Sequence, residues 1–202
     1  MLIIPVERQL DWRKPPLMTL AIILINVLVF FLYQSQDSEL LESAVEQYLE
    51  ADLTPLEAPV YLDYLERRIR LKQDDRMELA TAVAEAIEDK DAEWLAYVIL
   101  LDPGFYAMLV DEGTLFWQNE TYFEWKEIRS GIVENYIDNI SARRLGLIPA
   151  DVQLSDLVGY QFLHGGIGHL LGNMVFLFLL GFTVERALGK SKYLIAYLLC
   201  GV

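Results

Sequence analysis

The sequence has a single cysteine and few basic residues, and each shortage argues against a class of protein. The cysteine is Cys200, so no disulfide bond can form within the chain. Lysine and arginine number 16 against 30 aspartate and glutamate residues, which gives a formal net charge of −14. Binding to nucleic-acid phosphates requires a basic surface, and this composition therefore argues against a nucleic-acid partner.

Apolar and acidic residues are separated along the chain. Hydrophobic residues make up 54% of the sequence. Residues 34–150 contain 25 acidic and 10 basic side chains, a net charge of −15, which leaves +1 for the two flanks together. This segregation predicts a membrane protein that carries a sizeable acidic part in water.

The first apolar segment, residues 17–33, contains no charged residue and one internal amide, Asn26. Its length reaches the lower limit for a transmembrane helix. A secretory signal peptide is the competing interpretation, because basic residues precede the segment. The apolar stretch, however, exceeds a typical signal core, and no Ala-x-Ala cleavage site follows it. We therefore expect an uncleaved transmembrane helix in which Asn26 hydrogen-bonds to a neighbouring helix.

The distribution of positive charge predicts the orientation of this helix. After it, the next basic residue is Arg67, whereas basic residues precede it and also follow the second apolar segment. Positive charge is retained on the cytoplasmic side, so residues 1–16 are expected in the cytoplasm and residues 34–150 outside it. The cytoplasmic basic residues are then Arg8, Arg13, Lys14, Arg186, Lys190 and Lys192.

Apolar residues within 34–150 recur at helical spacing in three stretches, each of which predicts a helix with one buried face. The stretches are Leu62, Leu65 and Ile69; Leu79, Val83 and Ile87; and Trp94, Val98 and Leu101. Aromatic residues from Leu115 to Trp125 favour a packed core, although contact with the lipid interface or with substrates would use the same residues. The predicted fold is all-α: a polytopic membrane helical bundle with an acidic helical extramembrane insertion.

The second apolar segment contains two imidazoles and an amide at membrane depth, at His164, His169 and Asn173. Polar side chains inside a membrane-spanning helix are energetically costly, so they indicate a functional site. On one helix, His169 and Asn173 lie about 40° apart and one turn from each other, so both can act on one ligand. His164 lies about 140° away, where it is better placed to support neighbouring structure.

Other residues of this segment have structural interpretations. Gly168 and Gly172 form a small-xxx-small pair, which predicts the close approach of a neighbouring backbone. Glu185 and Arg186 stand where the helix is expected to leave the membrane, and a solvated pair at the interface explains both of them.

The pattern His-x4-His-x3-Asn on a glycine-rich second apolar segment resembles the rhomboid intramembrane serine proteases, peptidase family S54. The neighbouring sequence agrees in Gly146-Leu147-Ile148-Pro149 and in Gly181-Phe182-Thr183-Val184-Glu185-Arg186-Ala187-Leu188-Gly189. Lys14-Pro15-Pro16 is similar to the family's approach to its first helix. The resemblance is strong over residues 145–202, weak over residues 15–33, and does not cover the stretch between them.

The resemblance implies roles for the three matching residues. His169 and Asn173 would help to form the oxyanion hole, and His164 would chiefly support structure and hydration near it. The family's nucleophile is a serine in a Gly-x-Ser-Gly motif on a later helix, and its base is a histidine on a helix after that. Neither is found in these 202 residues. Residues 151–202 thus resemble the start of a rhomboid domain, with the second transmembrane helix at about 163–184 and the third beginning at about 193–202.

The predicted function is that of a serine-type endopeptidase which cleaves membrane-associated substrates, and this chain is expected to be its inactive N-terminal part. No cofactor and no metal is expected: the two histidines are five residues apart with only glycine and isoleucine between them, which does not fit a zinc protease pattern. The expected partners are membrane lipid and transmembrane protein substrates.

The expected location is the inner (plasma) membrane of a bacterium, as a multi-pass protein with a cytoplasmic N-terminus. Two other interpretations remain open. One is a non-catalytic rhomboid-like protein that binds transmembrane segments. The other is a membrane anchor for the acidic part, which leaves the polar face of the second helix unexplained.

Overall fold

The computed structural model describes residues 15–73, 75–146 and 154–200. Every regular element in these ranges is a helix, which confirms the predicted all-α fold. The residues form two compact units, one from Gln36–Arg144 and one from the described residues of 1–35 and 145–202. Most of the cytoplasmic segment predicted for residues 1–16, its three basic residues, and Leu147-Ile148-Pro149 of the family motif lie outside the described residues.

The acidic unit, residues 36–144, is built from six helices and the start of a seventh. Their bounds are α2 Asp37–Glu50, α3 Thr54–Arg70, α4 Met77–Asp89, α5 Ala92–Leu100, α6 Pro103–Glu112, α7 Asn119–Asn135 and α8 Ser141–Leu145. Aspartate side chains cap two of them: Asp91 accepts from the backbone N–H of Trp94 at 3.1 Å, and Asp102 from that of Phe105 at 3.0 Å. The location of this unit outside the cytoplasm stays a prediction.

Two of the three predicted apolar stripes face the core of the acidic unit. Leu65 and Val83 are fully buried, and the other residues of their stripes pack against the core. The third prediction is wrong in register, because Leu101 lies past the end of α5 and is exposed. The buried residues of α5 are instead Leu95, Ala96, Ile99 and Leu100. Since nearly every residue of α5 is apolar, spacing alone does not identify its buried face.

The centre of the acidic unit holds a buried ion pair. Arg129 of α7 donates from Nε to Oε1 of Glu57 on α3 at 3.1 Å, and both side chains are almost fully buried. Trp125 donates its indole N–H to the same oxygen at 2.7 Å. The Arg129 guanidinium lies over the rings of Tyr48 and Tyr106, at 5.6 and 5.2 Å. Burial raises the pKa of Glu57, against the opposing influence of Arg129 and Trp125.

Two helices are long and apolar enough to cross a membrane, Leu17–Glu50 and Ile167–Leu188. The second unit contains the first of them up to residue 35 and the whole of the other. The first begins as α1, Leu17–Leu28, and continues through π-helical and 3₁₀ turns before α2. The second consists of α10 Ile167–Phe176, a π-helical turn Leu177–Gly181 and α11 Phe182–Leu188. It starts after the glycine pair at 165–166, later than the predicted 163. Two shorter helices complete the unit, α9 Leu154–Gly159 and α12 Lys190–Cys200.

One further helix pair, Ala92–Leu100 with Pro103–Leu115, is apolar enough to pass the same test but bends by 84°. The pair contains α5 and α6, whose residues Ile99, Phe105 and Leu109 have no exposed surface. These residues are apolar because they form the core of the acidic unit.

Glu185 is buried, and the expectation that it belongs to a solvated interfacial pair is wrong. Its carboxylate accepts hydrogen bonds from the backbone N–H groups of Met18 at 3.1 Å and Thr19 at 2.8 Å, and from the Thr19 hydroxyl at 2.8 Å. The first residues of a helix lack intrahelical acceptors, and Pro16, which precedes α1, provides no side-chain cap. Glu185 therefore caps α1 from another helix, whereas Arg186 is exposed.

The close approach of helices occurs at Gly181, and the prediction that placed it at Gly168 and Gly172 is not supported. A Cβ atom at Gly181 would lie 2.7 Å from Cγ2 of Thr19 and 2.7 Å from the hydroxyl of Tyr193. A Cβ atom at Gly168 or Gly172 would meet no described atom within 4 Å. Gly181 therefore lets α1 and α12 pack against the second span at one point.

Replacement of Arg129 by methionine is expected to destabilise the acidic unit by about 3–5 kcal/mol, because it leaves the Glu57 carboxylate buried without its counter-ion. The double variant Glu57→Gln/Arg129→Met, which buries no charge, should recover much of that loss. In the single variant, burial alone would hold the pKa of Glu57 above its value in the unfolded chain. The loss of stability relative to the unchanged protein should therefore shrink as pH falls toward about 5. Thermal unfolding in neutral detergent, followed by tryptophan fluorescence, measures both effects.

Replacement of Glu185 by alanine is expected to cost about 2–4 kcal/mol, because three donors of α1, two of them buried, lose a charged acceptor. Arg186→Ala is the matched control and should change stability by no more than about 0.5 kcal/mol, since Arg186 is exposed. Unfolding of the two variants in the same detergent gives the comparison. Equal stability of the Glu185 and Arg186 variants would contradict the capping role.

Gly181→Ala is expected to destabilise the second unit by about 1–3 kcal/mol, because the added methyl group overlaps buried atoms of Thr19 and Tyr193. Gly172→Ala adds the same group to open space and should be neutral, or stabilising by up to about 1 kcal/mol through helix propensity. Unfolding curves of the pair in detergent distinguish a steric effect from the general effect of replacing glycine in a helix.

Candidate functional site

The second span carries two polar side chains on one face. His169 and Asn173 both lie in α10 and are separated by one helical turn. His169 is exposed, whereas Asn173 is half-buried. Leu170, between them in sequence, is 2% exposed and packs the helix against the rest of the unit. Because a helix fixes the spacing of its side chains, the imidazole and the amide are held in a constant relation to each other.

His164 does not lie on this helix, and the angular argument that separated it from the other two residues is therefore wrong. It precedes α10 in a non-helical stretch, which begins at Leu163 with an extended backbone. Gly165 and Gly166 separate it from the first residue of α10, Ile167. The rings of His164 and His169 nevertheless lie with their centroids 5.3 Å apart and their planes at 59°.

The position of His164 is fixed by two glutamines that sequence reasoning missed. Gln34, at the end of the first apolar segment, donates to the His164 carbonyl at 3.0 Å and accepts from its backbone N–H at 2.9 Å. Gln161 donates to the carbonyls of Leu157 at 2.7 Å and Leu198 at 3.1 Å, which ties the chain before His164 to α9 and α12. The only feature of the sequence that could have pointed to these contacts is that each glutamine stands next to an apolar segment.

The side chain of His164 is buried, and its hydrogen bonding defines its tautomer. Its Nδ1 atom lies 3.1 Å from the carbonyl oxygen of Phe162. A carbonyl oxygen only accepts, so Nδ1 carries the proton, and in the neutral ring Nε2 is then an acceptor. This bond holds the ring in one orientation beside His169.

His164 and Asn173 line a groove of about 410 Å³ in this unit. Most of its wall is apolar, and residues of α1, α10, the π-helical turn, α11 and α12 contribute to it. Its polar lining residues are Asn26, Gln161, His164, Asn173, Tyr193 and Tyr197. His169 does not line the groove, but its ring lies beside that of His164, which does. A groove of this kind combines an apolar wall with a few polar groups that can orient a ligand.

Asn26 of α1 also lines this groove. It is 1% exposed and donates from Nδ2 to the carbonyl of Ile22 at 2.8 Å, within its own helix. A side-chain hydrogen bond with Tyr197 also joins Asn26 to α12, which is the contact with a neighbouring helix that the sequence predicts.

The residues available in this unit are suited to hydrogen bonding rather than to metal binding. Within residues 15–73, 75–146 and 154–200, no group of three or more histidine, cysteine, aspartate or glutamate side chains is arranged to hold a metal ion. An amide and two imidazoles offer N–H donors, which are the groups that stabilise a developing negative charge on oxygen.

Comparison with known proteins identifies the segment that carries this site. Residues 151–202 match the model of the Rhomboid domain. No curated protein and no solved structure matches the chain. The matched residues include His164, His169, Asn173, the groove-lining part of the second span and α12. The resemblance of this part of the chain to the rhomboid family is therefore confirmed over residues 151–202, which match the Rhomboid domain.

Proposed function

We propose that residues 151–202 supply the oxyanion-stabilising part of an intramembrane serine endopeptidase that cleaves membrane-associated proteins. The observation that carries the proposal is the arrangement on α10, where His169 and Asn173 lie one turn apart within an apolar span. A span that served only as an anchor would have no use for these two polar groups, which are costly in lipid.

The chemistry requires donors at the reacting carbonyl. Attack on a peptide bond converts the carbonyl oxygen into an oxyanion, which N–H groups fixed in advance stabilise more than they stabilise the substrate. The Asn173 amide and the His169 imidazole both provide such donors. Their effect is large when they are shielded from water, because the low dielectric strengthens each hydrogen bond.

His164 acts as a positioning residue in this proposal. Its backbone is paired with Gln34 and its ring with Phe162, so it is held independently of α10. It contacts His169 from that fixed position and limits the orientations that the His169 ring can adopt. We therefore expect its replacement to disturb the site indirectly, through His169.

The nucleophile and the base are not among these residues. None of the seven serines in the 202 residues lies in a Gly-x-Ser-Gly sequence, and the two histidines are assigned to other roles. We propose that a serine and a histidine outside this sequence perform acyl transfer without a metal ion, and that these 202 residues alone are inactive. The substrates proposed are transmembrane proteins, since α10 belongs to a helix that is long and apolar enough to cross a membrane.

The proposed location is the inner membrane of a bacterium, with residues 1–16 in the cytoplasm and residues 34–150 on the other side. Its support is the excess of basic residues before the first span and after the second. Cysteine labelling from one side of intact cells, at single cysteines introduced into each part after replacement of Cys200, tests this orientation.

The activity of the protein that contains this segment together with a Gly-x-Ser-Gly serine is expected to depend on Asn173 and His169. Alanine at either position should lower kcat for cleavage of a transmembrane substrate by about 10²–10³, the usual effect of removing one oxyanion donor. Leu171→Ala is the matched control on α10, because Leu171 is 57% exposed and lies outside the site. Cleavage in proteoliposomes by all three variants gives the comparison.

Two results would overturn the proposal. One is full activity in the Asn173→Ala variant, and the other is site-specific labelling of the 202-residue chain by a fluorophosphonate probe. If the gene encodes no Gly-x-Ser-Gly serine beside this segment, the function becomes that of a non-catalytic rhomboid-like protein which binds transmembrane segments.

A further inference from the structure

The acidic unit contains a long groove between α2 and α5, which we call the α2–α5 groove. Its volume is about 880 Å³, and its lining runs along α2 from Ser38 to Glu50 and along α5 from Asp91 to Tyr97. Twelve residue steps along α2 correspond to about 18 Å, or a little over three helical turns. The groove therefore has the length of a short helix and is open to solvent along its rim.

The floor of the groove is apolar. Leu41, Val45 and Leu49 follow one another at intervals of four residues along α2, and each is half-buried. Trp94 and Tyr97 of α5 form the other side, and Tyr97 is 47% exposed. These five side chains keep apolar surface accessible although the core of the unit lies directly beneath them, at Ala44, Tyr48, Leu95 and Ala96.

The rim of the groove is acidic on both sides. Glu42, Glu46 and Glu50 lie about 6 Å apart along α2, at successive helical turns. Asp91 and Glu93 stand on the opposite side, at the start of α5. All five carboxylates are exposed, and no lysine or arginine lines the groove in the part of the chain that the structure describes.

We propose that the α2–α5 groove binds a cationic amphipathic helix of a partner polypeptide. An apolar stripe of the partner, with residues at i, i+3 or i+4, and i+7, fits the floor formed by Leu41, Val45, Leu49, Trp94 and Tyr97. Lysine or arginine residues on both sides of that stripe then lie opposite the acidic rims. The combination of floor and rims selects a helix that is apolar on one face and basic at its margins.

Charge distinguishes this occupant from other candidates. A second copy of the acidic unit, with its net charge of −15 over residues 34–150, would be repelled by the rims. A divalent cation finds no group of three or more ligating side chains among the described residues. A small molecule would leave most of a three-turn groove empty, whereas ligand pockets enclose most of their ligand's surface.

Binding of a designed peptide to the full chain tests the proposal. The probe is a fluorescent helix of about 14 residues, with leucines on one face and lysines on both margins, and the chain is held in nanodiscs of neutral phosphatidylcholine. We expect saturable binding, measured by fluorescence anisotropy above that of empty nanodiscs. The rim variant Glu42→Gln/Glu46→Gln/Glu93→Gln should weaken it by about tenfold, since three exposed ion pairs are lost.

A matched variant separates the groove from the general charge of the unit. Glu78→Gln/Glu85→Gln/Glu88→Gln changes the charge by the same amount on exposed positions of α4, outside the groove, and should alter binding by less than about twofold. Tyr97→Ser tests the apolar floor and should weaken binding by about three- to fivefold. Circular dichroism of each variant checks that the helices are intact.

Three results would overturn the inference. The first is an equal loss of affinity in the rim variant and the α4 variant, which would show diffuse attraction only. The second is unchanged affinity in the rim variant. The third is equal binding of a scrambled peptide with the same composition, which would show that no helical face is recognised. These outcomes are independent of proteolytic activity, so the inference and the proposed function fail separately.

Discussion

Within a bilayer no water satisfies a polar group, so each one must find its partner in the protein, and this constraint determines how the two spans are joined. At one end, Glu185 of the second span caps the first residues of α1 through Met18 and Thr19. At the other end, Gln34 pairs with the backbone of His164, just before the second span begins. The two spans run in opposite directions. Glu185 joins them by hydrogen bonds at one end, and Gln34 joins them at the other.

The site depends on both of these connections. The Gln34 pair fixes His164, and His164 in turn contacts His169 on α10. The Glu185 cap and the close contact at Gly181 hold the second span against α1 and α12. They therefore fix the position of α10, whose Asn173 lines the groove. In the proposed role, a donor is most effective when it is in place before the reaction, and these remote connections would keep it there.

The sequence predicted what depends on local spacing and missed what depends on distant partners. The relation of His169 to Asn173 was predictable because four residues on a helix always define one turn. His164 was misplaced because the helix begins only at Ile167, after two glycines. Glu185 was misassigned because its partner Thr19 lies 166 residues away in the sequence. Gly181 was missed for the same reason, since a glycine does not reveal which helix approaches it.

The acidic unit shows how the position of a charge determines what it can do. Glu57 is buried, and its hydrogen bonds with Arg129 and Trp125 join α3 to α7. The five carboxylates of the α2–α5 groove are exposed and retain their hydration, so they cost the fold little and remain available to a cationic partner.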